Sequence, residues 1–267
     1  MSNVRSSTHG AVRVLILDRP HRRNAMTQGT AEQLAELIAA TQRDETIGAI
    51  VLTGAGGHFS AGGDIKAIEN AASADSDEPR LAMLRAFHRL VETVWETELP
   101  VVAAVSGAAY GGAFNLVLAC DLIVCSVDAR FCQVFLRRGL APDVGGAYFL
   151  PRVVGMQRAK ELMLRTSEVS ADRATQMGFV NEVLPDAATT YKRAIELAAE
   201  LAAAPRFAVS LTKKLLNAGT SGTLHNSLEL EAFVQTTALR SDDARAGLAN
   251  PVRNPGAEQP APPDIRE

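Results

Sequence analysis

Apolar residues recur at two spacings along this chain, and the balance between them changes after about two-thirds of its length. In the first part, compact apolar runs at 12–17, 47–52, 101–105, 122–126 and 180–184 have strand length and predict buried strands. Leu34, Leu37, Ile38 and Thr41 fall at helical spacing and predict a helix over 28–43. Leu84, Phe87, Val91, Val94 and Trp95 mark a second helix, which must end before Pro100 because the residue before a proline is pushed out of helical geometry. Ser170 and Gly178 bracket a short helix as its N-cap and its C-terminal stop.

From about residue 186 the strand signal disappears. Alanine-rich helical periodicity then runs through 187–203, 206–217 and 223–239. Strands first and helices last predict an α+β (α/β) chain in two parts. Residues 1–185 form the core that carries the site, and 186–267 form a helical region with a proline-rich, loose tail.

Composition narrows the function classes. Hydrophobic residues make up 47% of the 267 positions, enough for a sizeable core and incompatible with wholesale disorder. A net charge of −3 gives no pull toward nucleic acid or anionic membranes, and the basic clusters at 19–23 and 137–138 are short. Residues 101–120 carry no charge and reach spanning length, but Ser106, Gly107, Gly111, Gly112 and Asn115 interrupt them. A buried strand, a turn and a buried helix are expected there, with no membrane partner. Cys120, Cys125 and Cys132 show neither CxxC nor zinc-ligand spacing and read as small buried hydrophobes, with no metal. The opening MSNVRSSTHG lacks the apolar core of a signal peptide, which predicts a cytoplasmic protein.

Two glycine turns carry the candidate chemistry: IVLTGAGGHFSAGGDI at 50–65 and PVVAAVSGAAYGGAFNLVLACD at 100–121. Each follows an apolar strand, and the second places Gly111 and Gly112 at a helix start. Glycine lets a ligand approach the main chain, and unpaired amides at a helix start suit an anion. Neither turn ends in GK[ST], so neither is a phosphate loop. Gly54 and Gly56 begin a dinucleotide fingerprint, but its third glycine is replaced by Phe59. Ser106 lies in AVSGA, outside a nucleophile elbow. Either turn alone is equally consistent with a tight turn that binds nothing.

Together the blocks are more specific. FSAGGDI, AVSGAAYGGAFNLVLACD, GLAPDVGGAYFLPRVVG and MGFVNEVLP, in this order after DRPHRRNAM, resemble the crotonase (enoyl-CoA hydratase/isomerase) superfamily from about residue 12 to 250. The resemblance implies a spiral of ββα turns with a C-terminal helical trimerisation region, hence a homotrimer or a hexamer. It implies an acyl-CoA thioester substrate that carries its own coenzyme A, with no separate cofactor. It also implies an oxyanion hole from the amides of Gly63 and Gly112. Such donors stabilise an enolate without reorganising, and one can be worth roughly 3–4 kcal/mol. Arg23 and Ala25, with Gly63, Asp64, Ile65 and Lys66, resemble the segments lining the family's CoA channel.

At the two positions where hydratases of this family carry glutamates, the chain has Asn115 and Phe135. Asparagine can orient a ligand but cannot serve as a proton-transfer base, and phenylalanine can do neither. The acid left in register is Asp143, in LAPDVGG, which resembles the base of isomerase-type members. Its alternative role is to cap a helix over 144–150. Asn115 and Phe135 are expected to shape the acyl pocket. The segment 66–82, with its ASADSDEP composition, is expected to be a mobile pocket wall. His58 and His88 read as surface or core histidines, and Tyr110 and Tyr148 as core packing, with the acyl pocket as their alternative place. An acyl-CoA isomerase is the leading expectation. A hydratase or lyase with an atypical base, and a non-catalytic acyl-CoA binder, are the alternatives.

Overall fold

A computed structural model describes residues 3–249, so the proline-rich tail predicted to be loose lies outside the described residues. The chain opens with β1 (Val4–His9), β2 (Val12–Leu17), α1 (Gln28–Gln42), β3 (Ala49–Gly54), α2 (Ile65–Ala72) and α3 (Glu78–Glu96). Next come β4 (Val101–Val105), β5 (Ala108–Tyr110), α4 (Gly112–Leu118), β6 (Leu122–Ser126) and β7 (Arg130–Cys132). A 3₁₀ turn (Val134–Arg138) leads to α5 (Gly146–Val154), α6 (Met156–Arg165), β8 (Val169–Ser170), α7 (Ala171–Met177) and β9 (Glu182–Leu184). The helices α8 (Ala187–Ala202), α9 (Arg206–Gly219), α10 (Leu224–Ala238) and α11 (Asp242–Ala249) follow.

A six-stranded sheet in the order β1-β2-β3-β4-β6-β9 is parallel except for the edge pair β1–β2. A three-stranded sheet, β5-β7-β8, lies beyond it. Side chains alternate along each central strand. Val12, Val14, Val51, Val102, Ala104 and Val124 meet Ala194 and Ala198 of α8. Leu15, Leu17, Ile50, Leu52, Ala103 and Val105 join the larger core with α1, α3 and α4. Burial on both faces explains why these strands appear in the sequence as nearly unbroken apolar runs.

The described residues form two compact units, divided between Ser221 and Gly222. The loss of strand signal at residue 186 therefore does not mark a change in compactness, because α8 is the layer that covers one face of the sheet. Within the second unit, α10 is capped by Thr223, whose hydroxyl accepts from the Asn226 amide. It exposes Leu224, Leu228 and Phe233.

Two expectations are corrected, the strand at 47–52 and the mobile wall at 66–82. The predicted strand at 47–52 runs two residues later, in the register set by Ile50 opposite Val101. The predicted mobile wall at 66–82 is largely helical. Asp64 caps α2 through the Ala67 amide, and Pro79 stands in the first turn of α3. β1 had no sequence signal because only Val4 of its six residues is buried. The uncharged run 101–120 divides into β4, β5 and α4, and no helix among the described residues is long and apolar enough to cross a membrane. The three cysteines are buried and unbridged, and burial pushes each thiol above its ordinary pKa. No group of three or more potential metal ligands occurs among the described residues.

Candidate active site

The first glycine turn is held from three sides. Asn24, buried and at φ +55°, accepts from the Arg19 amide and donates to the carbonyls of Ala55 and His58 (2.7 Å each). Ser60 Oγ donates to the Asn24 carbonyl and accepts from the Gly62 amide. Met26 N–H donates to Gly62 O while Met26 O accepts from Asp64 N–H, both at 2.8 Å. This parallel bridge turns the main-chain groups of Gly63 away from Met26, and the Gly63 amide makes no hydrogen bond among the described residues. Arg23 and Ala25 hold the same loop through main-chain oxygens: Arg23 O accepts from Ala61 N–H, and Ala25 O from the Arg19 guanidinium. Arg19 also pairs with Asp64 at 3.0 Å. Burial opposes the charge of Asp64, but bonds from the Ala67 amide and Arg19 prevail and hold its carboxyl below the usual range. Ile65 and Lys66 begin α2 and are exposed.

The second turn comes against the first. Gly111 takes φ +55° with ψ −126°, a conformation closed to other residues, and donates to Cys132 O. Gly112 then opens α4, and its amide makes no hydrogen bond among the described residues. A methyl group on Gly62 would lie 2.6 Å from Tyr110 O and 3.8 Å from Gly112 N, so the two free amides occupy adjoining turns.

Asp143 reaches this place from a distant part of the chain. Its Oδ1 lies 3.8 Å from the position a Cβ on Gly112 would take. The capping alternative is not observed: α5 begins at Gly146, its N-cap is Gly145, and no side chain caps it. Burial raises the pKa of Asp143, with the nearby His88 pulling the other way. Val144, the next residue, has φ +51° and is buried. A β-branched residue in the left-handed region is strained by about 1–3 kcal/mol, and such strain clusters at active sites. It also brings Val144 against Gly112, with Cγ2 3.0 Å from that same Cβ position.

Asn115 does not line the pocket as expected. It is fully buried; its Nδ2 donates to Asp143 O (2.8 Å) and its Oδ1 accepts from Gln133 Nε2 (2.7 Å). The residue at the first glutamate position thus braces the backbone of the candidate base. Phe135 is buried, its ring edge 3.7 Å from the Cβ position of Gly111, and packs behind the second turn.

A cavity of about 420 Å³ opens between α3 and α5, with His88, Gly145 and Tyr148 in its walls. Tyr148 therefore faces a cavity, while Tyr110 does not line it and instead donates to Glu168 at 2.6 Å. Burial and that carboxylate push Tyr110 up to about 12. His58 holds the second turn, accepting from the Ala108 amide at Nδ1. His88 is exposed on α3, as expected of a surface histidine, and also lines this cavity. Its i, i+4, i+7 spacing with Glu92 and Trp95 was the available hint. Asn24, Gln133 and Val144 were missed, because nothing in their immediate sequence distinguishes a buried strut or a strained turn.

The chain is similar to known proteins over most of its length. The family profile described as Enoyl-CoA hydratase/isomerase matches residues 7–252. The 1,2-epoxyphenylacetyl-CoA isomerase of Escherichia coli (strain K12) is 34% identical over 93% of this chain and 95% of its own length. The 4-chlorobenzoyl coenzyme A dehalogenase-2 of Arthrobacter sp is 36% identical over 80% of this chain and 77% of its own. A crystal structure of an enoyl-CoA hydratase from Polaromonas sp. JS666 superposes with a TM-score of 0.88 at 30% identity. It covers 92% of this chain and 95% of that one.

Proposed function

The chain belongs to the enoyl-CoA hydratase/isomerase family, and on that premise we propose that it is an acyl-CoA isomerase with Asp143 as its base. The thioester oxygen accepts from the amides of Gly63 and Gly112. Asp143 removes a proton from the α or γ carbon, and the electron pair moves into the carbonyl, where the two donors hold the enolate. The same carboxyl returns the proton to a different carbon, so the double bond moves with no atom gained or lost. Coenzyme A, carried by the substrate, runs past Arg23, Ala25, Asp64, Ile65 and Lys66. No further cofactor enters the proposed chemistry.

The observation that carries this reading is the Asp143 carboxylate, uncapping and partly buried, beside Gly112. Burial makes it a stronger base than a solvated carboxylate. Two-glutamate hydration lacks its groups, since 115 is a bonded asparagine and 135 a packed phenylalanine. The assembly that goes with this reading is a homotrimer or a pair of trimers, supported by exposed Leu224 and Phe233 on α10. A monodisperse monomer in light scattering at micromolar concentration would contradict that assembly.

The test is incubation with a panel of acyl-CoA thioesters in deuterated water, read by mass spectrometry. Wild type is expected to exchange α or γ hydrogens, and Asp143→Asn to lose about 10²–10⁴-fold of that rate while still binding coenzyme A. Efficient hydration of crotonyl-CoA that persists undiminished in Asp143→Asn would overturn the isomerase. Binding without exchange in wild type would make the chain a non-catalytic acyl-CoA binder.

A further inference from the structure

The cavity between α3 and α5 has aromatic walls that the isomerase chemistry does not require. Trp95 packs on Phe149 with ring centroids 5.1 Å apart at 59°. Tyr148 meets Phe149 nearly at right angles (5.2 Å, 88°) and Trp95 likewise (6.3 Å, 81°). The Tyr148 ring and the Trp95 backbone are held by contacts outside the trio. Tyr148 Oη shares a hydrogen bond with Thr220 Oγ1 (3.0 Å), and the Arg152 guanidinium lies 3.6 Å over its ring. The Trp95 carbonyl accepts from Asn217 Nδ2 at 2.8 Å. The trio is therefore preformed and does not depend on a ligand for its order.

The cavity adjoins the proposed base. Gly145 in its wall is two residues from Asp143 and begins the turn closed by the bond from Gly146 N–H to Asp143 O, and His88 in its wall counters the effect of burial on Asp143. At about 30 Å³ for each water-sized group, 420 Å³ accommodates on the order of a dozen non-hydrogen atoms. A short linear chain fills a minority of that space. A rigid planar ring continues the edge-to-face packing of the trio and gives up fewer rotors on entering than an alkyl chain of equal carbon count.

We propose that this cavity receives an aromatic ring on the acyl group, so that the substrate is an aryl-substituted acyl thioester. This deepens the acyl-CoA reading above and rests on it. Trp95 and Tyr148 are then the specificity-determining residues, and Glu92, one turn beyond His88 in the same wall, offers an acceptor to a ring hydroxyl.

The experiment uses the full chain and compares phenylacetyl-CoA with octanoyl-CoA, which has the same number of acyl carbons, and with coenzyme A alone. Affinities come from calorimetry. The chain has a single tryptophan, so its emission reports directly on the cavity. Phenylacetyl-CoA is expected to bind on the order of tenfold tighter than octanoyl-CoA and to change Trp95 emission. Tyr148→Leu is expected to weaken phenylacetyl-CoA about tenfold and octanoyl-CoA by less than about threefold. Equal or tighter octanoyl-CoA binding, or phenylacetyl-CoA binding that leaves Trp95 emission unchanged, overturns the aryl assignment and leaves the acyl-CoA reading standing. Failure of both thioesters to bind more tightly than coenzyme A overturns the acyl-CoA reading itself. The wild-type comparison alone decides between these outcomes if Tyr148→Leu does not fold.

Discussion

Replacing Asn115 with leucine tests whether the residue at the hydratase glutamate position has become a brace for the base. The side chain is fully buried and joins Asp143 O to Gln133 Nε2 at 2.8 and 2.7 Å. Leucine keeps the approximate volume and deletes both bonds. The bond to Asp143 O is worth about 1 kcal/mol net, and that oxygen still accepts from Gly146 N–H. Gln133 suffers more: it is fully buried and its Oε1 has no partner, so losing Asn115 leaves its amide without bonds. An orphaned buried donor costs about 1–3 kcal/mol, which brings the expected loss to about 2–4 kcal/mol. Urea denaturation measures it as a lower midpoint at unchanged slope. Once folded, Asn115→Leu should lower kcat for solvent exchange about ten- to a hundredfold, with KM changed less, because the base is misplaced while the binding turns stay intact. The double variant Asn115→Leu with Gln133→Leu separates the effects. It removes the orphan and should regain much of the stability, since replacing both partners by apolar groups is nearly neutral. It should not regain the rate. An exchange rate at wild-type level in folded Asn115→Leu, or recovery of stability and rate together, would refute the positioning role.

Burial raises the pKa of Asp143 in the folded chain, so its contribution to stability is full below the unfolded carboxyl pKa and is lost as pH rises through the folded value. Asp143→Asn should therefore melt higher than wild type at neutral pH, with the advantage vanishing in acid; an equal difference at both pH values in calorimetry contradicts the burial argument. Gly62→Ala puts a methyl 2.6 Å from Tyr110 O at φ +93°, and should cost at least about 1–3 kcal/mol in thermal unfolding together with acyl-CoA affinity. A wild-type melting temperature would show that the turns do not meet so closely. Lys213→Met removes the buried Nζ that bonds the partly exposed Asp121 (2.8 Å) and the carbonyls of Val94 and Leu99. A loss of about 1–3 kcal/mol is expected in denaturant, partly recovered by adding Asp121→Asn. No recovery would mean that the stranded Asp121 charge is not the source of the loss.

Signals that act within a few residues were legible along the chain. β2, β4 and β6 begin and end where their apolar runs do, and Ser170 and Gly178 cap α7 as their types require. The two glycine turns and Asp143 were picked out by their resemblance to a family, since neither turn alone distinguishes a binding loop from a tight bend. The tertiary structure decided what those residues do to one another. Asp143 faces Gly112 and is braced by Asn115, 28 positions away. Val144 adopts a conformation its type disfavours because the fold around Gly112 holds it there. Hydrophobic periodicity and capping are set by neighbours three or four residues apart. A pocket is set by side chains that meet only when distant segments pack, and no local pattern encodes which buried asparagine will end against which carbonyl.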